Sequence, residues 1–562
     1  MDYSELVGTY EELAATQSRL EKTEILATLL KEAERDRLGP VVRLLRGRTF
    51  ERWESGDLGI SSSLTHEAIS RATGIEMETI ETWWRETGDL GDAAARATQE
   101  ATQVTLVSGK LTVDLVHDTL RSLADMSGSG SRDRRVGEIA GLLTNAEPLE
   151  AKYLVRTVCG AMRLGIGEGI LRDAIAWAFL EESETGAAAV QSALDVTNDF
   201  GVVARTARDQ GRNGLASLEM EVFRPIKPML AQQAEDLQTA FTELAAPDGT
   251  VLLEVKYDGM RAKLHGEGDD YRIYSRRLED VTAQFPDIER AMADISLDRF
   301  VIEAEVVGFD PENERPVPFQ ELSRRITRKY EIDRLKEEVP VRVFVFDLLY
   351  DENDLLLAEP LRERLRGLNE PIRETQDRLM RADHLVTDDP AEATQFRASA
   401  LASGHEGIMV KNLDAAYQPG SRVGYQQKVK STHDPLDLVV TRAKWSEGRK
   451  SDFLGRPYLA CRDAEGALRE VGRMHTGFTD EELETFHGLV EPLIQSLEGR
   501  EAALRPEVVL EVECAEIQRS TTYDAGYALR FPRLKRIRPD LAVEDIDTLH
   551  TVAEMYESQS ES

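Results

Sequence analysis

Residues 254–261 read EVKYDGMR, in which a lysine at the end of a β-rich run stands two residues before an Asp-Gly pair. The neutral amine of such a lysine can attack a phosphorus atom, and nearby cations or partial desolvation lower the pKa of a lysine toward working pH. A KxDG pattern also occurs often by chance, so Lys256 alone could equally be a surface ion-pair partner. The residues that follow it decide between these two readings.

Five later segments carry, in a fixed order, the residue types that a nucleotide site needs. Carboxylates offer oxygen ligands to Mg²⁺, basic side chains neutralise a transferring phosphoryl group, and an aromatic ring can stack on a base. Taken singly, Phe344 and Phe346 could be core residues, and Lys428 and Lys430 could face solvent. Together the segments predict one site. They are SRRLEDVT (275–282), IEAEVVGF (302–309), VFVFDLLY (343–350), HEGIMVKN (405–412) and SRVGYQQKVK (421–430).

The hydrophobic pattern changes twice along the chain. Apolar residues first recur at helical spacings, then come short β-rich runs with helical segments between them, and finally short strands separated by turns. The fold class predicted is therefore a multidomain α and β protein, and no internal repeat is evident. The predicted domains are an all-helical domain at 1–222, an α+β domain at 223–431, and a small β-barrel domain at 432–562.

With these motifs in order over nearly its whole length, the chain resembles the ATP-dependent DNA ligases of the archaeal and eukaryotic type. The resemblance implies a helical DNA-binding domain, a nucleotidyltransferase (adenylation) domain and an OB-fold domain. It further implies sealing of nicks in duplex DNA through a lysyl-AMP and a DNA-adenylate, with ATP and Mg²⁺, in replication, repair and recombination. A monomer is expected.

The same resemblance assigns roles to individual residues, with Lys256 as the adenylated lysine. It implies that Glu254 and Phe346 hold the adenine, that Arg261, Arg276 and Glu305 contact the nucleotide, that Glu305 and Glu406 lie near the metal, and that Arg422, Lys428 and Lys430 meet the phosphates.

Two further segments resemble parts of the same family. The basic stretch LRFPRLKRIRPD (529–540) is expected to orient the leaving pyrophosphate, through one of Arg530, Arg533, Lys535, Arg536 and Arg538. In the helical domain, the turn LGIGEG (164–169) opens a helix, and Gly165 and Gly167 could let the DNA backbone approach. A plain helix-helix turn is an equal alternative. MSGSGSRDRR (126–135) is a weaker candidate for a second contact.

The chain departs from the family pattern at two positions, where Gln426 replaces a frequent Trp and Arg473 replaces a frequent Lys. The first substitution concerns local packing and the second keeps the charge. The stretch QVTLV (103–107) lies where some relatives carry a peptide that binds a sliding clamp, but it lacks aromatic anchors. It is a weak clamp-binding candidate.

Composition limits the class of protein. No stretch of the sequence is long and apolar enough for a membrane span, and the acidic start lacks the pattern of a secretory signal, so a cytoplasmic location without membrane contact is expected. Cys159, Cys461 and Cys514 are too few and too scattered for a zinc cluster or a disulfide framework, and are expected to be buried thiols.

A formal net charge of -34 would repel a DNA backbone at ordinary salt. Only 15 of the 69 basic residues are Lys. Molar salt shortens the screening length to about 3 Å, and an acidic surface is one lever used by halophiles. We therefore expect a halophilic protein, the alternative being an acidic protein that works at ordinary salt.

Three other functions remain as rivals. A capping guanylyltransferase or RNA ligase of the same superfamily is disfavoured by the large helical domain ahead of Lys256. An NAD-dependent ligase is disfavoured because the sequence has no zinc-binding cysteine cluster. A catalytically dead DNA-clamping protein is disfavoured by the complete set of basic and acidic site residues.

Overall fold

A computed structural model describes residues 1–54, 56–101, 109–180, 184–310, 315–317, 319–326, 331–352, 354–372, 378–430, 435–446, 453–475 and 477–561. The chain forms two compact units. The first comprises Met1–Gln232, Gly259–Asp383 and Asn412–Gln426, and the second comprises Gln233–Asp258, His384–Lys411 and Gln427–Ser562.

The first part of the chain is helical, as predicted. Apolar stripes form the core, with Leu26 and Leu30 fully buried on one helix and Leu171 and Ile175 on another. Polar side chains cap several helix starts: Ser61, for example, accepts a hydrogen bond from the backbone N–H of Leu64. The helices are α1 (Tyr3–Ala15), α2 (Arg19–Glu32), α3 (Leu38–Leu45), α4 (Ser62–Thr73), α5 (Met77–Thr87), α6 (Leu90–Gln99), α7 (Val113–Ser122), α8 (Ser131–Thr144), α9 (Pro148–Val158), α10 (Glu168–Phe179), α11 (Glu184–Thr197) and α12 (Phe200–Ala216).

These helices form two halves of similar construction, so the expectation of no internal repeat is wrong. α1–α6 correspond in order to α7–α12, and the halves exchange partners: α2 packs on α10 and α8 on α4, while α3 packs on α12 and α9 on α6. The first residues of the two halves are also paired. Tyr3 donates its backbone N–H to the carbonyl of Leu111 at 2.9 Å, and Val113 donates to that of Met1 at 3.3 Å. Such reciprocal contacts are those of an approximate two-fold relation.

Two equivalent capping sites support the duplication. The Asp89 carboxylate accepts hydrogen bonds from the N–H groups of Gly91 and Asp92 at the start of α6. Asp199 does the same for Gly201 and Val202 at the start of α12. Both are Asp-x-Gly sequences, with a glycine where the helix approaches its neighbour closely. The repeat is difficult to detect in the sequence because most equivalent positions of the two halves are both buried but carry different residues.

The central part of the chain contains two mainly antiparallel sheets. One has the strand order β1-β11-β10-β2-β9, and the other has the order β4-β3-β5-β6-β7 with β8 paired in parallel to β6. The strands are β1 (Gln232–Gln233), β2 (Val251–Lys256), β3 (Met260–Glu267), β4 (Asp270–Ser275), β5 (Arg299–Gly308), β6 (Val341–Asp351), β7 (Asp354–Leu355), β8 (Leu379–Arg381), β9 (His384–Thr387), β10 (Gly407–Lys411) and β11 (Gln426–Lys430), and the helices are α13 (Leu237–Leu244), α14 (Pro286–Met292), α15 (Phe319–Ile326), α16 (Ile332–Glu338), α17 (Leu361–Gly367) and α18 (Pro390–Ala402).

The last part is rich in strands, as predicted, and its apolar core includes the fully buried Leu459, Phe486 and Leu510. One sheet runs β14-β13-β12-β16-β15, with β17 joining β12 to β20, and β18 pairs with β19. The elements are β12 (Leu436–Trp445), β13 (Leu454–Arg462), β14 (Leu468–Arg473), α19 (Asp480–Val490), β15 (Ile494–Glu498), β16 (Glu501–Leu504), β17 (Val509–Glu513), β18 (Glu516–Arg519), β19 (Tyr527–Arg530), β20 (Arg533–Ile537) and α20 (Leu549–Glu561).

Two statements about composition can be compared with the structure. Within the described ranges, no helix has both the length and the apolar character required to cross a membrane. The cysteines are free, but the expectation that all are buried is confirmed for Cys461 alone, since Cys159 is exposed and Cys514 is half-buried. Cys159 follows Val158, the last residue of α9, so its side chain lies beyond the packed part of that helix.

The segment joining the helical region to the sheets is held by a buried histidine. His265 on β3 is fully buried, and its Nδ1 accepts a hydrogen bond from the backbone N–H of Phe223 at 3.1 Å. Tyr274 on β4 donates to the carbonyl of Phe223 at 2.8 Å. Burial, with a smaller effect of the Lys263 charge, lowers the pKa of His265 to about 3. The neutral ring is therefore the folded form.

Replacing His265 with Gln should make stability less sensitive to acid. The unfolded chain takes up a proton below the ordinary histidine pKa near 6.5 and the folded chain does not, so stability falls as pH drops from about 6.5 toward 3. Between pH 7.5 and pH 5 the wild type should lose about 2 kcal/mol more than His265→Gln. Urea midpoints at several pH values measure this. His550→Gln, at an exposed position, is the control, and equal pH slopes in wild type and His265→Gln would contradict the prediction.

Candidate nucleotide and DNA site

Lys256 ends β2 and faces a carboxylate across the paired strand β10. The antiparallel register sets Gly407 opposite Lys256, and the backbone N–H of Glu406 donates to the Lys256 carbonyl at 3.1 Å. The Lys256 amine forms an ion pair with the Glu406 carboxylate, and both side chains are about a fifth exposed, at 19% and 24%. A reagent can therefore reach the amine, and a base lies beside it.

A buried ion pair lies two residues before Lys256. The Glu254 carboxylate, predicted to hold adenine, binds the amine of Lys411 on β10 at 2.6 Å, with each side chain 6% exposed. Removal of two charges from water is costly unless they are paired, so this contact ties β2 to β10. Lys411 lies in the segment 405–412, but its pairing with Glu254 depends on the register of β2 and β10.

Arg261 is the centre of a second group, on β3, β5 and β6. Its guanidinium donates to the carbonyl of Met229 at 2.8 Å and binds the fully buried Glu303. Burial lowers the pKa of Arg261, but the charge of Glu303 outweighs burial and raises it. Burial raises the pKa of Glu303, whereas the charges of Arg261 and Lys263 lower it to about 2.

Lys263 belongs to this group, although the sequence interpretation did not assign it. Its amine binds Glu303 and lies 3.1 Å from the Tyr417 hydroxyl, and burial lowers its pKa to about 8. The signal for Lys263 in the sequence was the alternation of charged side chains along the strand. Arg261 and Lys263 lie two apart on β3, opposite Glu305 and Glu303 on β5.

Two further predicted residues lie near Arg261. Glu305 is half-buried and directly opposite Arg261, and the ring of Phe346 lies 5.4 Å from the Arg261 guanidinium. Phe346 keeps part of its surface open, so its ring can stack on a planar group. Phe344 is 6% exposed, which supports the core alternative for that residue.

The remaining predicted phosphate contacts lie at the surface or on β11. Arg276 and Arg422 are exposed, the first just after β4 and the second just before β11. Lys428 is half-buried on β11, and its carbonyl accepts a hydrogen bond from Ala234 at 3.1 Å. Lys430 ends β11, but its side chain lies outside the described part of the structure.

The predicted residues fall into two groups. Lys256, Glu254, Glu406 and Lys428 belong to the second compact unit, while Arg261, Arg276, Glu305, Phe346 and Arg422 belong to the first. The joining of both groups around one nucleotide stays a prediction.

The donor set suits a metal that is held mainly by its substrate. Among the described residues, no group of three His, Cys, Asp or Glu side chains could hold an ion by itself. Mg²⁺ usually binds through one or two carboxylates together with substrate phosphates. Glu406 beside Lys256, and Glu305 beside Arg261, are carboxylates of this kind.

One residue of the basic stretch 529–540 is distinguished by its surroundings. Burial lowers the pKa of Arg530, but Glu516 at 2.8 Å and the charges of Asp258 and Glu406 raise it above the ordinary value. Arg530 is therefore near the Lys256 strand end. Three other basic residues of this stretch bind carboxylates of the strand-rich region. Lys535 binds Glu511 and Glu513, Arg536 binds Glu511, and Arg538 binds Asp437, Glu511 and Asp540.

The helical region presents two equivalent glycine loops, residues 58–61 (LGIS) and 164–167 (LGIG). Gly59 and Gly165 have φ values of +60° and +63°, and α4 and α10 begin three residues after them. The sequence interpretation found only the second loop. The shared LGI, and the AI that follows eight residues later in both helices, was the signal for the first. The other candidate contact, at 126–135, leads into α8 and is not one of the two glycine loops.

The family departures have simple structural accounts. Gln426 is buried and donates to the Met229 carbonyl at 3.2 Å, the same carbonyl that Arg261 binds. Arg473 donates to the Tyr458 hydroxyl at 3.0 Å. The possible clamp-binding stretch at 103–107 lies outside the described residues.

Comparison with known proteins gives consistent matches along the chain. Residues 2–176 match the family model described as DNA ligase N terminus, 228–430 the ATP dependent DNA ligase domain, and 450–541 the ATP dependent DNA ligase C terminal region. A DNA ligase from Thermococcus onnurineus is 40% identical over 561 residues, covering 100% of this chain and 98% of its own. A DNA ligase from Haloferax volcanii is 39% identical over 594 residues, covering 100% of both chains. A solved structure titled Pmar-Lig_PreS3 shares the fold with a TM-score of 0.57 and 16% identity, covering 95% of this chain and 99% of its own.

Proposed function

The chain belongs to the ATP-dependent DNA ligases, and from this premise we propose that Lys256 is the residue that carries AMP. Enzymes of this family seal nicks through adenylate intermediates, and this chain is such an enzyme. The observation that carries the assignment is the partly exposed amine of Lys256 beside the Glu406 carboxylate.

In the proposed first step, the Lys256 amine loses its proton to solvent and attacks the α-phosphorus of ATP. A nitrogen–phosphorus bond forms, the bond to the bridging oxygen breaks, and pyrophosphate leaves. AMP then passes to the 5'-phosphate at the nick, and the 3'-hydroxyl attacks that phosphorus and releases AMP. Positioning and charge neutralisation should supply most of the acceleration, because the lysine is the one covalent participant needed.

The other nucleotide contacts follow from the two groups described. Glu254, fixed by Lys411, would meet the adenine, and Phe346 would stack on it. Arg261, Arg276 and Glu305 would contact the nucleotide, and Arg422, Lys428 and Lys430 its phosphates. Mg²⁺ held by Glu305 and Glu406 with the phosphates would neutralise charge on the transferring group.

DNA binding is proposed for the two glycine loops and the strand-rich region. Backbone amides at the starts of α4 and α10 favour phosphate, and glycine allows a close approach. The strand-rich region is proposed to form the family's OB-fold, with domain limits at 222 and 431. The exposed Phe531, beside Arg530, is available to contact bases or sugars.

Broader roles follow from family and chemistry. We propose that the enzyme acts in replication, repair and recombination. We propose a cytoplasmic location, because ATP and the DNA substrate occur in the cytoplasm. We also propose that the enzyme is a monomer. Association with a sliding clamp is also proposed, and no segment of the chain is assigned to that contact. Sedimentation of the chain alone and with a clamp would test both the monomer and this association.

Replacing Lys256 with Ala should abolish labelling by α-³²P-ATP, since no other amine is proposed to receive AMP. Wild type should give an acid-stable adduct on gels. Lys110→Ala, at a side chain that is 85% exposed, is the control and should label normally. An adduct on Lys256→Ala protein would refute the assignment.

Arg530 should matter more for adduct formation than Arg536. Loss of a cation that stabilises the transferring phosphates typically costs about 100-fold in rate. Arg530→Ala should approach that loss in single-turnover labelling, while Arg536→Ala, whose partner is Glu511, should lose much less. A larger loss in Arg536→Ala would reverse the assignment.

Nick sealing should persist or increase toward molar KCl. The net charge of -34 repels DNA in dilute buffer, and salt screens this repulsion to within about 3 Å at 1 M. Sealing rates from 0.1 to 3 M KCl at saturating ATP measure it. An optimum in dilute buffer followed by a steady decline would count against halophilic adaptation.

A further inference from the structure

A buried cation lies under the second glycine loop, and it comes from the other half of the helical region. Lys22 on α2 is 4% exposed, and its amine donates to the Leu164 carbonyl at 2.5 Å and lies 3.4 Å from the Gly165 carbonyl. A Cβ atom on Gly165 would lie 2.7 Å from this amine. The positive φ of +63° favours glycine here, and a side chain at this position would displace the Lys22 amine.

The cation beside the first loop is bonded differently, to carbonyls of its own half. Arg135 on α8 is half-buried and donates to the carbonyls of Leu123 and Met126. A Cβ atom on Gly59 would lie 2.7 Å from its guanidinium. Lys22 and Arg135 each precede a Leu-Leu pair by seven residues, which identifies them as equivalent positions of the repeat.

Crossed ion pairs flank both cations. Arg19 on α2 binds Asp173 on α10 at 2.8 Å, and Arg132 on α8 binds Glu67 on α4 at 3.0 Å. Arg19 and Arg132 stand three residues before Lys22 and Arg135. Each half thus supplies an arginine to the glycine-loop helix of the other, at equivalent positions of the repeat.

The cation under the second loop determines which way its peptide groups point. In a trans peptide, the carbonyl and the following N–H point in opposite directions. Because the Leu164 carbonyl is turned to the buried Lys22, the N–H of Gly165 is turned away from it. A positive charge under the loop also adds to the favourable potential for anions at the start of α10.

The two loops differ in one respect. Gly59 donates its N–H to the Asp57 carboxylate at 3.0 Å, whereas the position equivalent to Asp57 in the second loop is Arg163. The second loop is therefore the better phosphate site, and Lys22 is the more informative residue to change.

We propose that Lys22 is a positioning residue for DNA binding, which holds the glycine loop at 164–167 of the opposite half in the conformation that receives a backbone phosphate. This inference rests on the proposed function of the loops. Lys22 touches no DNA itself. It acts by fixing the 164–167 backbone from the buried side of the loop, where Lys22 is shielded from the acidic surface.

The test is binding of Lys22→Met protein to a fluorescent nicked duplex, followed by anisotropy. We expect affinity to fall about 10-fold, or about 1.4 kcal/mol, with Lys22→Arg restoring part of it. The KM for nicked DNA should rise more than kcat falls. The slope of log affinity against log salt should stay as in wild type, since a lost direct phosphate contact would reduce it by about 1.

Lys152→Met is the matched control, because Lys152 is a poorly exposed lysine of the same region that pairs with Glu11 and Asp92 instead of a loop. It should bind DNA as wild type does. Self-adenylation, which needs no DNA, and helical circular dichroism report whether each variant is folded. If Lys22→Met fails to fold, Lys22→Gln replaces it, and a smaller loss is expected for it than for complete removal of the polar group.

Unchanged nick affinity in folded Lys22→Met, or in folded Lys22→Gln as its replacement, would overturn the inference. An affinity loss equal to that of Lys152→Met would do the same, and so would a reduced salt slope. Failure of the wild type to bind nicked DNA would instead refute the proposed function of the loops, and the inference would fall with it.

Discussion

The register between β2 and β10 is the constraint on which the proposed chemistry depends. A one-residue slip in a strand pair turns every side chain to the opposite face, so Lys256 and Glu406 meet in one register alone. The buried pair of Glu254 and Lys411 stabilises that register, because any slip would leave two charges unpaired in the interior. A structural ion pair and a reactive one thus occupy the same two strands, two residues apart on β2.

Several buried cations of this acidic protein are paired with carboxylates. Arg261 and Lys263 share the buried Glu303, and Arg364 binds Asp347 at 2.7 Å with its side chain fully buried. Such cations are held where solvent ions screen them little. Three of the lysines, Lys22, Lys263 and Lys411, are likewise buried at 5% exposure or less, the last two beside carboxylates and Lys22 beside backbone carbonyls.

Much of this organisation could be predicted from residues in order. Helical stripes predicted the first region, β-rich runs the centre, and the KxDG lysine with its following motifs the reactive strand. What the sequence could not provide was register and pairing. The contact of Lys263 with Glu303 depends on the pairing of β3 with β5. The contact of Glu254 with Lys411 depends on the pairing of β2 with β10. The duplication was missed because equivalent positions keep burial and charge more than identity, as with Lys22 and Arg135.

The exchanged helices of the duplicated region have a consequence for how it folds. Helical proteins usually fold fast because most of their contacts are local in sequence. Here α2 packs on α10 and α3 on α12, pairs separated by well over a hundred residues, so the core closes only after the second half has been made. During synthesis the first half must wait with its apolar faces uncovered. The region thus combines the composition of a helical bundle with core contacts between distant parts of the sequence, and its emergence from the ribosome is a period of exposure to aggregation.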